Sequence, residues 1–330
     1  MRVVVLGAGG WGTAFARLTA NAGHETALWA RDAALAARLA SARENAKYLP
    51  GVSLPEDRLR ITNDLSVAVG AEAIFLAVPS VGMRDTLTQL ADAGFRDGVI
   101  VSLAKGLDRL SRQTMSELIH DRFADARVFA LSGPSHAEEV GRDFPTAVVL
   151  AGRDLVLGKT LQAALATDRF RVYLSDDLRG VELCAAVKNV IAVASGVCDG
   201  LGYGDNSRGA LIARGLAEMV RFGRALGVRE ATFFGLSGLG DLVATCTSEH
   251  SRNRRVGVLL GRGGRLEDVL AGMSMVAEGV FATRVVRDVA AEKGIEMPIT
   301  EAVDRLLRGE ADAPTLVREI MTREPKIEAI

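Results

Sequence analysis

Cysteine is scarce in this chain: Cys184, Cys198 and Cys246 are the only thiols among 330 residues. So few, so widely spaced and odd in number, they form neither a disulfide framework nor a zinc cluster, and a reducing, cytoplasmic compartment is expected. An excess of either charge is also missing, since 40 Lys and Arg stand against 41 Asp and Glu, a net charge of −1. No global basic field draws the chain to nucleic acid or to an anionic membrane, so neither is expected as a partner. Long hydrophobic runs are lacking. The opening Met1-Arg2-Val3-Val4-Val5-Leu6 passes at once into glycines and is too short for a signal-peptide core. Residues 183–197 are interrupted by Lys188 and Asn189 and fall short of the ~20 residues a membrane span needs, so no transmembrane segment is expected. The four histidines show no H-x-E or H-E-x-x-H spacing, so no metal is expected. Lysine is rare as well: six of the 40 basic residues, Lys47, Lys105, Lys159, Lys188, Lys293 and Lys326. A desolvated lysine can give up its proton and arginine effectively cannot, so a lysine kept in an apolar setting points to chemistry.

The composition that remains, 48% apolar and 25% charged, is that of a globular protein large enough for two or three domains. Apolar runs of strand length at residues 2–6, 26–30, 73–78, 99–103, 128–131, 146–150 and 170–174 alternate with helical stretches. That rhythm predicts a mainly parallel, doubly wound α/β sheet. Beyond residue 176 strand runs stop and helices are predicted at 177–197, 208–226, 239–245, 253–260, 266–271, 282–292, 299–308 and 313–322. The expectation is a nucleotide-binding domain over residues 1–178 and an all-α domain over 179–330.

Gly7-Ala8-Gly9-Gly10-Trp11-Gly12 fits G-x-G-x-x-G between a predicted strand and a predicted helix, the context a dinucleotide fingerprint requires. In that reading Gly7 permits the tight turn, Gly9 the approach of the pyrophosphate and Gly12 close helix–strand packing. A plain glycine turn is the alternative. At the end of the second strand, where NAD sites place an acidic residue, Arg31 comes first and Asp32 one residue late. Arg31 would attract a 2′-phosphate, so NADPH is the preferred cofactor, with NADH still open. Pro79 ends a further strand on the side where such sheets bind ligands.

Two more strand ends carry candidate anion contacts: Lys105 before Gly106, and the turn Gly133-Pro134-Ser135. In the helical half, Lys188 and Asn189 are the polar pair of a long apolar helix. Lys188 can act as general acid for a carbonyl that accepts hydride, and Asn189 can orient hydroxyls; a snorkelling surface lysine is the alternative. Asp241 reads as a helix N-cap or, more sharply, as the partner of Lys188, with Thr245 on the same face one turn later. Ser251-Arg252-Asn253 offers a hydroxyl, a guanidinium and an amide as a phosphate grip, or else a solvated basic face. His136, beside the Gly-Pro-Ser turn, is the rival proton donor.

Taken in order, GAGGWGTA at 7–14, NAKYLPGVSLP at 45–55, Lys105-Gly106, LSGPSHAEEV at 131–140 and Lys188-Asn189-Val190 resemble the bacterial NAD(P)-dependent sn-glycerol-3-phosphate dehydrogenases. The likeness continues through DGLGYGDNSRGALIARG at 199–215, GLSGLGDLVATCT at 235–247, SRNRRVG at 251–257 and VAEG at 276–279. The resemblance implies a Rossmann domain followed by a helical domain like the C-terminal domain of 6-phosphogluconate dehydrogenase. It implies reversible reduction of dihydroxyacetone phosphate by NAD(P)H to sn-glycerol 3-phosphate, supplying glycerophospholipid synthesis, and a homodimer. By the same resemblance Lys188 is the proton donor and acceptor. Lys105, Gly133, Ser135, Asp241, Ser251, Arg252 and Asn253 contact substrate. Trp11, Arg31, Tyr48, Lys105, Ala137, Arg252, Val276 and Glu278 line the cofactor. Two positions depart from the family pattern: Gly10, where a serine is common, and His136, where phenylalanine is usual. The alternatives are a two-domain dehydrogenase of a carboxylate such as a 3-hydroxyacid or ketopantoate, and a dinucleotide sensor without turnover.

Overall fold

The computed structural model describes residues 1–273, 275–324 and 327. Lys326 lies outside them. The chain divides into two compact units, one of residues 1–108 and 113–182, the other of residues 109–112 and 183–330.

The first unit runs β1 (Arg2–Leu6), α1 (Gly10–Asn21), β2 (Glu25–Trp29), α2 (Ala33–Ala42), β3 (Glu44–Asn45), β4 (Leu49–Ser53) and β5 (Leu59–Thr62). It continues with β6 (Ala73–Leu76), α3 (Met83–Asp92), β7 (Val99–Ser102), α4 (Met115–Arg122), β8 (Arg127–Ser132), α5 (Ala137–Val140), β9 (Thr146–Gly152), α6 (Leu155–Leu165) and β10 (Phe170–Ser175). Eight strands form one sheet in the order β10-β9-β8-β7-β6-β1-β2-β5, and β3 and β4 form a separate antiparallel pair. Pairing within the large sheet is parallel except between β8 and β9. Both faces are covered: Val3, Val5, Phe75 and Phe129 pack with Phe15 of α1 on one side, and Val4, Leu6, Ile74 and Ile100 with α3 and α4 on the other. This explains why the strands read as unbroken apolar runs rather than alternating ones. The winding reverses between β1 and β6, and the carboxyl ends of strands at such a reversal are where open α/β sheets bind ligands. Strand β5, which pairs with β2, is missed by apolar runs because it is only Leu-Arg-Ile-Thr.

Helix α7 (Leu178–Gly200) starts in the first unit and continues into the second. It is 23 residues long, longer than the interrupted run of residues 183–197 read from the sequence, and its most apolar window has a mean hydropathy of 1.6, so by length and composition alone it passes for a membrane span. That window is 94% buried inside the protein, the condition of a core helix. Around it the second unit folds α8 (Asp205–Ala225), α9 (Glu230–Phe233), α10 (Asp241–Thr247), α11 (Arg252–Gly261), α12 (Leu266–Ala271), α13 (Glu278–Glu292), α14 (Pro298–Leu307) and α15 (Ala313–Met321). No strand occurs among its described residues.

Helices α7 and α11 meet backbone to backbone. A Cβ on Gly257 would lie 2.8 Å from the Val197 nitrogen, and one on Gly196 2.9 Å from the Val258 nitrogen. Only glycine permits that approach. The contact fixes the register of the two helices that carry Lys188-Asn189 and Arg252-Asn253. Arg254 Nε and Arg208 Nη2 add a clamp, donating to the two carboxylate oxygens of Asp199 at 2.6 and 2.7 Å. Farther off, Glu218 accepts the backbone N–H of Ile299 and Thr300 at the start of α14, and burial raises its carboxyl to about 7.

Candidate active site

In the first unit the glycine loop sits at the sheet's reversal. Gly7 has φ +118°, and a Cβ there would meet the Ala77 carbonyl carbon at 2.9 Å, just beyond β6. A Cβ on Gly12 would run into the Gly7 carbonyl and come within 2.9 Å of Ala77 Cβ. A Cβ on Gly9 would meet nothing within 4 Å. Gly9 is the N-cap of α1, with no side-chain capping bond and no acidic residue in the first turn. The helix start therefore presents uncapped N–H groups and the positive end of its dipole. The buried Trp11 Nε1 has no hydrogen-bond partner, and such an orphaned donor in this place fits a bound polar ligand. Uncapped amides, an open Gly9 face and an unsatisfied indole N–H suit a dinucleotide pyrophosphate.

The departure at Gly10 has a local cause. A Cβ there would lie 2.7 Å from the Tyr48 carbonyl oxygen and 3.5 Å from Ala137 Cβ. The turn carrying Tyr48 and the start of α5 carrying Ala137 both lie against the loop, leaving no room for a serine. Arg31 is exposed at the end of β2. Asp32 caps α2, its Oδ1 accepting the N–H of Ala34 at 2.8 Å and Leu35 at 3.1 Å. The Leu35 bond holds the Asp32 carboxyl below its ordinary value. Pro79 is exposed three residues past β6.

Lys105 and the Gly-Pro-Ser turn come together. Lys105 Nζ donates to the Gly133 carbonyl at 2.8 Å and to Ser135 Oγ at 3.3 Å, and Ser135 Oγ donates to the same carbonyl at 2.9 Å. Gly133 has φ +134°, which makes the turn possible. His136 follows as the N-cap residue of α5 without a side-chain capping bond.

In the second unit Lys188 is 3% exposed and Asp241 2%, so both are inside. Lys188 Nζ donates to Thr245 Oγ1 at 2.6 Å and pairs with Asp241 Oδ1 at 3.0 Å. The Thr245 hydroxyl donates to the Asp241 carbonyl at 2.6 Å and so turns a lone pair toward Lys188. The snorkelling alternative for Lys188 fails on its burial. Asp241 is not the N-cap: that position is Gly240, at the end of an irregular turn over Leu236–Gly240, and the Asp241 side chain turns inward to the lysine. Cys246, next along, is inert, its thiol pushed up to about 12 by burial.

Asn189 Nδ2 donates to the Ala185 carbonyl at 3.0 Å, and its Oδ1 accepts Asn253 Nδ2 at 2.8 Å. Asn253 Oδ1 in turn accepts the Gly279 N–H at 2.9 Å. This relay ties α7, α11 and α13 together beside Glu278, the first residue of α13. Ser251 is the N-cap of α11, its Oγ accepting the Arg254 N–H at 3.2 Å. Arg252 is exposed and its Nη1 donates to the Val276 carbonyl at 3.0 Å. Lys188, Asn189, Asp241, Thr245, Ser251, Arg252, Asn253, Val276 and Glu278 are thus placed by one helical unit; Gly7, Gly9, Gly10, Trp11, Gly12, Arg31, Tyr48, Pro79, Lys105, Gly133, Ser135 and Ala137 belong to the other. No cluster able to hold a metal occurs among the described residues.

Comparison with known proteins identifies relatives along nearly the whole chain. Family models described as NAD-dependent glycerol-3-phosphate dehydrogenase N-terminus and C-terminus match residues 2–157 and 177–318. The glycerol-3-phosphate dehydrogenase [NAD(P)+] of Chlorobium limicola is 46% identical, with 99% of each chain covered. That of Nitratidesulfovibrio vulgaris is 47% identical over 98% of this chain and 99% of its own. The crystal structure of glycerol-3-phosphate dehydrogenase from Coxiella burnetii superposes with a TM-score of 0.93 at 37% identity, covering 97% of this chain and 98% of that one.

Proposed function

The chain belongs to the NAD-dependent glycerol-3-phosphate dehydrogenase family, and from that premise we propose that it reversibly reduces dihydroxyacetone phosphate to sn-glycerol 3-phosphate, with NADPH preferred over NADH. The observation that carries the reading is the buried Lys188–Asp241–Thr245 group beside the start of α11. The same reading includes supply of glycerophospholipid synthesis, action in the cytoplasm and a homodimer.

Gly9, Gly10 and Trp11 would hold the pyrophosphate at the start of α1, and Tyr48 and Ala137, which lie against Gly10, are candidate contacts beside them. Arg252, Val276 and Glu278 are the remaining candidate cofactor contacts. When bound, the reduced nicotinamide supplies the hydride to the ketone carbon. Lys188 gives its Nζ proton to the ketone oxygen as that atom gains charge, and takes it back in the reverse direction. Asp241 balances the ammonium charge and, with Thr245, fixes the Nζ position. The buried lysine is tolerated because it is paired and hydrogen-bonded. Arg252 and the first amides of α11 hold the substrate phosphate. Ser251 presents that helix start by capping it. Asn253 adds an amide whose orientation Asn189 sets. Lys105, held at the Gly-Pro-Ser turn, is a further candidate cation for the substrate.

NADPH preference rests on Arg31, with Asp32 drawn into capping α2 rather than standing at the strand end as a ribose ligand. Arg31→Ala is expected to raise the KM for NADPH roughly tenfold and leave that for NADH within about twofold, as loss of one charge-assisted contact to a 2′-phosphate requires. Steady-state oxidation of each cofactor with dihydroxyacetone phosphate reads the ratio. Equal changes for both would remove Arg31 from cofactor choice.

A further inference from the structure

We propose that Asn45 is a positioning residue for dinucleotide binding, acting on the glycine loop through the Ala8 carbonyl; the inference rests on the cofactor reading above. Asn45 stands in the short strand β3 and is 1% exposed. Its carboxamide meets three separate pieces of the first unit. Nδ2 donates to the Ala8 carbonyl oxygen at 3.0 Å, inside the glycine loop, and to Thr13 Oγ1 at 2.7 Å, in the first turn of α1. Oδ1 accepts the Tyr48 N–H at 3.3 Å, and the Asn45 main-chain carbonyl accepts it at 3.1 Å.

Both donors of one amide are thereby spent on holding the loop to the helix it opens. The electrostatic consequence follows from peptide geometry. In a trans peptide the carbonyl and the next N–H point in opposite directions. With the Ala8 oxygen drawn to Asn45, the Gly9 N–H is turned away from it. The Ala8 carbonyl oxygen, which a peptide flip would bring to face a bound anion, is held inward, and the amides at the start of α1 are left to face the phosphates. Free of Asn45, the Ala8–Gly9 peptide has a glycine on one side and little to resist rotation. The same residue sets the Tyr48 turn against Gly10, where the Tyr48 carbonyl leaves no space for a Cβ. Asn45 touches no cofactor atom in this account; its effect passes through the backbone of residues 8–13.

The test compares Asn45→Asp, which keeps the shape but loses both donors, with Asn45→Ser, which is neutral and too short to span Ala8 and Thr13. Thr13→Val removes one acceptor and leaves the Ala8 bond. Binding of NADPH and of adenosine 2′-monophosphate, which lacks the pyrophosphate, is measured by titration, together with the KM for each substrate. Both Asn45 variants are expected to weaken NADPH binding at least tenfold, with kcat at saturating NADPH, the KM for dihydroxyacetone phosphate and the affinity for adenosine 2′-monophosphate within twofold of wild type. Thr13→Val is expected to stay within threefold throughout. NADPH affinity within twofold of wild type in either folded variant would overturn the proposal. So would loss of the native near-ultraviolet circular dichroism in both, which would make Asn45 a stability residue alone. A wild-type chain that binds neither cofactor would instead overturn the cofactor reading itself.

Discussion

Replacing Lys188 by methionine and Asp241 by asparagine together is expected to lower kcat for dihydroxyacetone phosphate reduction by roughly a hundred- to ten-thousand-fold, the usual worth of a positioned proton donor. The Kd for NADPH should change less than about threefold, because a loss confined to the transition state leaves ground-state cofactor binding in place. The paired change is needed because the two groups are 3.0 Å apart and buried. Removing the lysine alone strands a carboxylate inside the protein, which costs about 3–5 kcal/mol and confuses catalysis with folding. Removing both charges at similar volume leaves the helical unit intact. Single-turnover and steady-state rates on the double variant, beside its melting temperature, separate the two effects. A folded double variant with more than a tenth of the wild-type kcat would take the proton-transfer role away from Lys188.

The second large effect is expected at Arg252. Charge-assisted bonds to a phosphate are worth about 1.5–3 kcal/mol, so Arg252→Ala should raise the KM for dihydroxyacetone phosphate roughly ten- to a hundredfold. Slow turnover of unphosphorylated dihydroxyacetone should be almost unchanged, since that substrate offers no phosphate to lose. The Arg252 bond to the Val276 carbonyl adds a smaller rise in the cofactor KM. Equal losses for the two ketones would show that Arg252 serves the fold of the 276–278 segment rather than phosphate binding.

Much of this arrangement is legible in the sequence because it is carried by local signals. The glycine pattern, the strand before it and the helix after it are contiguous, so G-x-G-x-x-G can be placed without knowing the rest of the fold. Lys188 is visible because charge inside a long apolar helix is costly and needs a reason. The partnership of Lys188 with Asp241 and Thr245 is less visible: it spans more than fifty residues, and the local reading of Asp241 as a helix cap competes with it. The cap falls to Gly240 because the irregular turn at Leu236–Gly240 rotates Asp241 into the helix and its side chain inward. Asn45 carries even less signal, since an asparagine in a two-residue strand just after a helix reads as a turn residue. Its burial and three partners come only from the turn at residues 45–48 folding onto the glycine loop. The close approach of α7 and α11 is half legible: Gly196, Gly200, Gly257 and Gly261 each recur at four-residue spacing, but nothing local says that the two pairs face one another. The length of α7 misleads in the other direction, because a helix buried on all sides and a helix in lipid share one composition.

The most direct measurement is nicotinamide absorbance in a steady-state assay of the wild-type protein. NADPH and NADH are each offered dihydroxyacetone phosphate, dihydroxyacetone and a short-chain 3-oxoacid. Rapid oxidation with the phosphorylated ketone, at a kcat/KM at least a hundredfold above that for dihydroxyacetone, and none with the oxoacid is the predicted result. Turnover of the oxoacid in preference to the phosphorylated ketone, or tight cofactor binding with no turnover of any of the three, would contradict it.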